Sequence, residues 1–174
     1  MLSAVLALSL FPPFTLENFD GHAVSEAIFE GKATVVVPTY AKCVIACPLV
    51  TLLLQSLDES LGSPGKVQYL HLSVNPDADT EEEIRLHFEK HELDPELDRR
   101  WLFANGPTSE MHELLGELGV VVDHQEVPEG TLTEHTVLVF VVGPEGEVLA
   151  EFDSYFWNEE EMRHALRHAT EDQP

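Results

Sequence analysis

The residues with the clearest chemical potential are two cysteines, Cys43 and Cys47, the only cysteines in this 174-residue chain. Pro48 follows them directly, and because proline fixes φ and lacks an N–H, it suits the first position of a helix with Cys47 just outside. The unpaired N–H groups and the positive end of the helix dipole lower the pKa of a thiol in such a position. The pair is therefore predicted to act as thiolates, either as nucleophiles or as metal ligands.

A purely structural disulfide explains this pair poorly, because a bond between Cys43 and Cys47 would close a very short loop and constrain the unfolded chain little. Three residues separate the two cysteines, one more than in the C-x-x-C motif of dithiol oxidoreductases, and the longer loop lets both sulfurs face one ion. A soft ion such as Cu(I) would need one further ligand, whereas zinc would need a fourth. The residues themselves leave redox exchange and metal binding open.

Histidine is the usual nitrogen ligand, and His135 is the preferred candidate because it directly precedes a strongly apolar strand predicted at 136–142. His124 is its rival. His87 and His91 are spaced i, i+4 on a predicted helix, but without a carboxylate partner in a recognised motif they are expected to be surface histidines. The remaining histidines lie in no motif and are interpreted as ordinary polar positions: His22, His71, His112, His164 and His168.

Strands and helices alternate along the chain, and they must position these side chains. Alternating or β-branched runs predict a hairpin at 14–21 and strands at 33–37, 67–74, 101–103, 136–142 and 147–152. Apolar spacing and capping residues predict helices over 48–61, from Thr80 through Phe88, over 111–118 and over 158–169. A polar connection from 123 to 134 is expected to be irregular. This order predicts a mixed sheet covered by helices.

Charge and composition narrow the class of protein further. Lys plus Arg number 9 against 32 Asp plus Glu, for a formal net charge of -23, and 44% of the residues are hydrophobic. These values are typical of one globular domain whose surface repels phosphate backbones and anionic lipids, which excludes nucleic-acid or membrane-surface binding by basic patches. A cation is the more natural partner, although an acidic coat that only maintains solubility explains the charge equally well.

The chain resembles the Sco/SenC family of thioredoxin-fold copper proteins over nearly its whole length. The resemblance rests on motifs spread from the N-terminal third to the last strands: Phe14-Thr15-Leu16, Gly31-Lys32, Thr39-Tyr40, Cys43 with Cys47-Pro48, Ser73-Val74-Asn75-Pro76 with Asp79-Thr80, and Glu134-His135-Thr136 followed by an apolar strand and Pro144-Glu145-Gly146. The combination is far more specific than any single motif. This sequence departs from the family at Val44-Ile45-Ala46, where Pro-Asp-Val is usual, and at Asn75 and Glu134, where Asp is usual.

The resemblance implies an α/β thioredoxin-like fold, a central mixed β-sheet flanked by helices, over residues 14–174. The apolar segment 1–13 is interpreted as a remnant of an export signal or anchor, or as an N-terminal strand. One copper ion per chain, Cu(I) or Cu(II), is expected on Cys43, Cys47 and His135. The expected function is delivery of copper to the CuA centre of cytochrome c oxidase, with subunit II or another copper acceptor as partner, in an extracytoplasmic and membrane-tethered location.

Two enzymatic functions are alternatives on the same fold. A thiol–disulfide oxidoreductase would use Cys43 and Cys47 as a redox couple to reduce the cysteines of an apo copper site, with Cys43 as the attacking thiol. Peroxide reduction fits less well, because peroxiredoxins place Thr three residues before the reactive cysteine, and that position is Tyr40 here, with Thr39 one residue earlier. The non-enzymatic copper chaperone is therefore the favoured hypothesis.

Overall fold

A computed structural model describes residues 9–44, 46–62, 65–127, 130–153 and 156–171. Within these residues the chain forms nine strands: β1 (Thr15–Asn18), β2 (Ala23–Ser25), β3 (Ala33–Thr39), β4 (Val67–Ser73), β5 (Trp101–Asn105), β6 (Val122–Val127), β7 (Gly130–His135), β8 (Val139–Val142) and β9 (Val148–Phe152). Seven of these described strands form one sheet in the order β2-β1-β5-β4-β3-β8-β9, and β6 and β7 form a separate antiparallel hairpin.

The centre of the sheet is parallel and its flanks are antiparallel. Strands β3, β4 and β5 run parallel, while β1 and β8 pair antiparallel to this core. The helices of the described residues are α1 (Ala46–Leu61), α2 (Glu81–Glu89), α3 (Thr108–Glu117) and α4 (Glu159–Glu171), and a short 3-10 helix spans Glu26–Phe29. The predicted class, a mixed sheet flanked by helices, is confirmed.

Two apolar cores lie on the two faces of the sheet, and β3 contributes to both. Every residue of β3 is buried. Val35 and Val37 point to the core that contains Leu54 of α1, whereas Val36 points to the core that contains Met111 of α3. This two-sided burial explains the continuous β-branched run in the sequence, and it makes β3 a rigid base for the segment that follows it.

The structure corrects three boundaries that the sequence predicted. Helix α1 begins at Ala46, so Cys47 lies inside its first turn instead of just outside. The polar segment expected to be irregular over 123–134 forms the β6–β7 hairpin. The following strand is confined to Val139–Val142, and His135 is the last residue of β7 instead of the residue before that strand. The hairpin was missed because its alternation is between polar side chains, which carry no apolar period.

Residues 9–13 lie against the end of the sheet. The Phe11 N–H donates to the Gly146 carbonyl at 2.8 Å, and the Phe11 ring packs edge-on against Phe29 at 5.2 Å between centroids. Residues 1–8 of the predicted apolar segment lie outside the described residues, so the interpretation of 1–13 stays a prediction. No helix in the described part of the chain combines the length and the apolar character needed to cross a membrane.

Three histidines expected at the surface or at ordinary polar positions are buried together under α1. His71, His87 and His91 are all buried, with ring centroids 5.5 Å apart for His71 and His87 and 5.2 Å apart for His87 and His91. The prediction of surface histidines was wrong because His87 in α2 and His91, two residues beyond its end, continue the apolar stripe that Ile84 and Phe88 begin, at positions i, i+3, i+4 and i+7. His71 extends from β4 beneath the same helix.

Acidification is expected to destabilise the fold through this cluster. Burial lowers the pKa of each of the three histidines, to about 4 for His87. In the unfolded chain a histidine has a pKa of about 6.5, so between these values the unfolded chain binds more protons and stability falls as the pH drops. The slope can reach about 1.4 kcal/mol per pH unit for each histidine. Urea unfolding at a series of pH values measures it.

The variant His87→Gln should show a shallower loss of unfolding free energy between pH 6.5 and 4 than the unmodified chain, because one titrating group is removed from the core. The matched control is His164→Gln, since His164 is exposed on α4. An identical pH dependence for His87→Gln and the unmodified chain would show that the cluster does not control acid stability.

Candidate metal centre

Both cysteines lie in the connection between the end of β3 and the start of α1. Cys43 is half-buried and Cys47 is buried, and no disulfide joins them in this structure. The Cys47 N–H, in the first turn of α1, donates to the Cys43 sulfur at 3.3 Å. The Cys43 sulfur therefore accepts a hydrogen bond from one of the N–H groups that a helix leaves unpaired at its N-terminus.

The surroundings of Cys47 favour its thiol form. The hydrogen bond to Cys43 raises the pKa of Cys47 most, followed by burial and by repulsion from negative charge at Cys43 and Asp79, while the Tyr40 backbone lowers it. The sequence predicted a lowered pKa from the helix N-terminus, and at Cys47 the hydrogen bond to Cys43 and burial outweigh that effect. A cation bound between the two sulfurs would instead favour the thiolate form of Cys47. Its positive charge would replace the thiol proton and offset the solvation that is lost on burial.

Asp79 fixes the loop that leads into the cysteines. Its two carboxylate oxygens accept hydrogen bonds from the Ala41 N–H at 2.8 Å and from the Ser73 hydroxyl at 2.6 Å. The side chain is buried, and burial raises its pKa to about 6 although both hydrogen bonds lower it. Asp79 therefore joins the cysteine loop to the end of β4 and adds negative charge to the site at neutral pH.

His135 is half-buried at the end of β7, opposite Val122. Its Nδ1 lies 2.9 Å from the Thr136 carbonyl, which can only accept, so Nδ1 carries the hydrogen and Nε2 has the lone pair. Burial lowers the pKa of His135, while the Thr136 carbonyl and negative charge at Cys43 raise it. A neutral imidazole held through Nδ1–H by a backbone carbonyl is the usual form of a metal-binding histidine.

Asn75 positions the hairpin that presents His135. Its backbone N–H donates to the Ser73 hydroxyl at 3.2 Å, and its side-chain amide donates to the Thr133 hydroxyl on β7 at 3.0 Å. A carboxylate at this position could only accept, so the departure from the family's usual Asp leaves the Thr133 hydroxyl as the acceptor in this contact. Asn75 and Asp79 were singled out in the sequence as motif residues only, and no local pattern revealed these two positioning roles.

The structure brings together part of the ligand set expected from the sequence. Cys43 and Cys47 are in direct contact, and His135 is close enough for negative charge at Cys43 to raise its pKa. Among the described residues, however, no three side chains of His, Cys, Asp or Glu are already spaced to hold one ion. His124, the rival ligand, forms its hydrogen bond with Thr133 instead. The triad of Cys43, Cys47 and His135 therefore stays a prediction that requires side-chain adjustment around the ion.

Sequence comparison places this chain beside one family. The family model described as SCO1/SenC matches residues 6–171. The SCO1 protein homolog of Bacillus subtilis (strain 168) is 26% identical in an alignment 144 residues long, which covers 81% of this chain and 72% of that protein. The family resemblance seen in the motifs is confirmed by this match over nearly the whole chain.

Solved structures show the same fold. ScoI of Bradyrhizobium japonicum with copper bound superposes with a TM-score of 0.78 and 21% identity, covering 92% of this chain and 99% of that chain. BsSco, a member of the Sco family of cytochrome c oxidase assembly proteins in which a disulfide switch was identified, superposes with a TM-score of 0.76 and 22% identity, covering 94% and 95%. These likenesses confirm the predicted thioredoxin-like fold.

The two cysteines should differ strongly in reactivity. Iodoacetamide reacts with an accessible thiolate, so we expect Cys43 to be alkylated roughly tenfold or more faster than Cys47, which is buried and held as a thiol. Mass spectrometry of peptides after timed labelling of the native protein measures both rates. Labelling in urea is the control, since both cysteines are then exposed. Equal rates in the native protein would contradict the described asymmetry.

Proposed function

Because the chain belongs to the SCO1/SenC family, we propose that it binds copper as cargo and delivers it to the CuA centre during assembly of cytochrome c oxidase. The proposed ligands are the Cys43 and Cys47 sulfurs and Nε2 of His135. One observation supports this assignment most strongly. Cys43 and Cys47 are in contact, and the nearby imidazole of His135 is hydrogen-bonded through Nδ1 to a backbone carbonyl. A relative of the same fold is known with copper bound, and another is a cytochrome c oxidase assembly protein.

The donor set suits Cu(I) better than other ions. Thiolates select soft metals, imidazole binds copper well, and a three-coordinate site satisfies Cu(I) but leaves Zn(II) short of its usual fourth ligand. The half-buried position of Cys43 and His135 leaves part of the site open to a partner. An acceptor can therefore replace the ligands one at a time, which moves the ion without releasing it to solvent.

The partner and location follow from this role. We propose cytochrome c oxidase subunit II or another copper acceptor protein as the partner. We also propose an extracytoplasmic location with a membrane tether, because the family resemblance implies both. The acidic surface, with its formal net charge of -23, supports attraction of a cationic cargo and of a partner with a basic face.

A second function, thiol–disulfide exchange, is favoured by the unequal burial of the cysteines. The Cys43 thiolate would attack a disulfide of the acceptor and form a mixed disulfide, and one acceptor sulfur would leave as a thiolate. Cys47 would then attack Cys43, lose its proton to solvent and release the second acceptor thiolate. The products are a Cys43–Cys47 disulfide and a reduced acceptor, so electrons balance without another reactant.

The copper hypothesis predicts one tightly bound Cu(I) per chain in an anaerobic titration against a chromophoric Cu(I) chelator. His135→Ala should weaken this binding by roughly tenfold or more, because one of three ligands is lost. His164→Ala is the control, since His164 is exposed on α4 and lies outside the proposed triad. Unchanged affinity in His135→Ala, or an equal loss in His164→Ala, would remove His135 from the site.

The exchange hypothesis predicts rapid reduction of an oxidised peptide that copies the two-cysteine copper loop of an acceptor. Cys43→Ser should abolish the reaction, whereas Cys47→Ser should accumulate a mixed disulfide on Cys43 because the resolving thiol is absent. Stopped-flow fluorescence and mass spectrometry follow the two outcomes. Slow exchange by the unmodified chain at every pH would rule out a catalytic oxidoreductase and leave copper binding unaffected.

A further inference from the structure

Two histidines that do not belong to the proposed triad lie near each other and next to that triad. His112 lies on α3 and His124 lies on β6, and their ring centroids are 6.5 Å apart with the ring planes tilted by 31°. Both residues are exposed. Because they belong to different elements and are 12 positions apart in the sequence, no local pattern would have predicted this pair.

The separation of the rings suits one shared metal ion. A metal–nitrogen bond is about 2 Å, so two imidazoles on opposite sides of one ion have centroids about 6 Å apart. Cu(I) accepts few ligands, and imidazole is a good ligand for copper. The observed separation of 6.5 Å matches this span, and rotation of the two rings about their side-chain bonds would turn one nitrogen of each toward a shared Cu(I) ion.

The ring of His124 is already oriented by a hydrogen bond of the kind that supports metal ligands. Its Nδ1 lies 3.1 Å from the Thr133 hydroxyl, which also accepts a hydrogen bond from the Asn75 side chain. In the tautomer in which Nδ1–H donates to the Thr133 hydroxyl, Nε2 has the lone pair that an ion needs. Glu113 and Asp123, the chain neighbours of the two histidines, are exposed and add the negative charge that attracts a cation.

The pair is adjacent to the proposed copper centre. In the β6–β7 register His135 lies opposite Val122 and Thr133 lies opposite His124, so His124 and His135 share one face of the hairpin as diagonal neighbours. Such neighbours are about 7–8 Å apart. An ion bound to His112 and His124 would therefore lie close to His135. His135 in turn lies near Cys43.

We propose that His112 and His124 form a second, solvent-accessible copper site that captures Cu(I) and passes it to Cys43, Cys47 and His135. The transfer role rests on the proposed function, whereas the site itself does not. The copper keeps its oxidation state during the transfer. Two Cu–N bonds break, two Cu–S bonds and one Cu–N bond form, and the thiol protons leave to solvent, so no other reactant is needed.

The test uses the full chain with Cys43→Ser and Cys47→Ser, which removes the proposed thiolate ligands. Cu(I) is added anaerobically while NMR follows the imidazole C–H resonances of each histidine. The resonances of His112 and His124 should shift together up to one equivalent. Adding His112→Gln should lower the Cu(I) affinity at least tenfold and abolish the shift at His124. His22→Gln, at an exposed histidine outside the pair, should change neither result.

A His112 resonance that does not respond to Cu(I) would overturn the second site, and so would an affinity that His112→Gln leaves unchanged. If His124 and His135 shift without His112, which is a case of the first outcome, the ion is bound within the hairpin. The transfer role is tested with the unmodified cysteines, where His112→Gln should slow the appearance of Cu–S charge-transfer absorption without changing its final amplitude. An unchanged rate would overturn that role. Absence of the Cu–S band in the unmodified chain would instead refute the proposed function.

Discussion

One buried carboxylate determines where the cysteines stand relative to the sheet. Asp79 accepts hydrogen bonds from the Ala41 N–H and the Ser73 hydroxyl, at 2.8 and 2.6 Å, and so ties the loop after β3 to the end of β4. A buried polar group left without its partner costs about 1–3 kcal/mol, so loss of this side chain would disturb both segments. The geometry of Cys43 and Cys47 therefore depends on a residue outside the proposed ligand set.

The same carboxylate adds to the negative charge of the site. The hydrogen bond to Cys43 and burial raise the pKa of the Cys47 thiol most, and negative charge at Cys43 and Asp79 raises it further, so two thiolates beside an ionised carboxylate are unstable without compensation. Copper bound at the proposed site would supply that compensation, and its departure would let the sulfurs regain their protons. The proposed function therefore links metal uptake to proton release, and metal loss to proton uptake, at the same two sulfurs.

The sequence could predict the cysteine loop because its signals are local: a buried strand, a short cysteine spacing and Pro48 at a helix start. It could not predict the β6–β7 hairpin, since that element has polar side chains and is held by the contact of Asn75 with Thr133, 58 residues apart. The buried position of His87 was encoded in its helical spacing, three residues after Ile84 and four before His91. The usual preference of histidine for polar surroundings concealed that signal.

X-ray absorption at the copper edge, on the unmodified chain loaded anaerobically with less than one equivalent of Cu(I), tests the central claim most directly. The account predicts a first shell of two sulfur atoms and one nitrogen atom, because Cys43, Cys47 and His135 bind the ion together. A first shell of nitrogen and oxygen alone would contradict the account, since the ion would then be bound away from the cysteines.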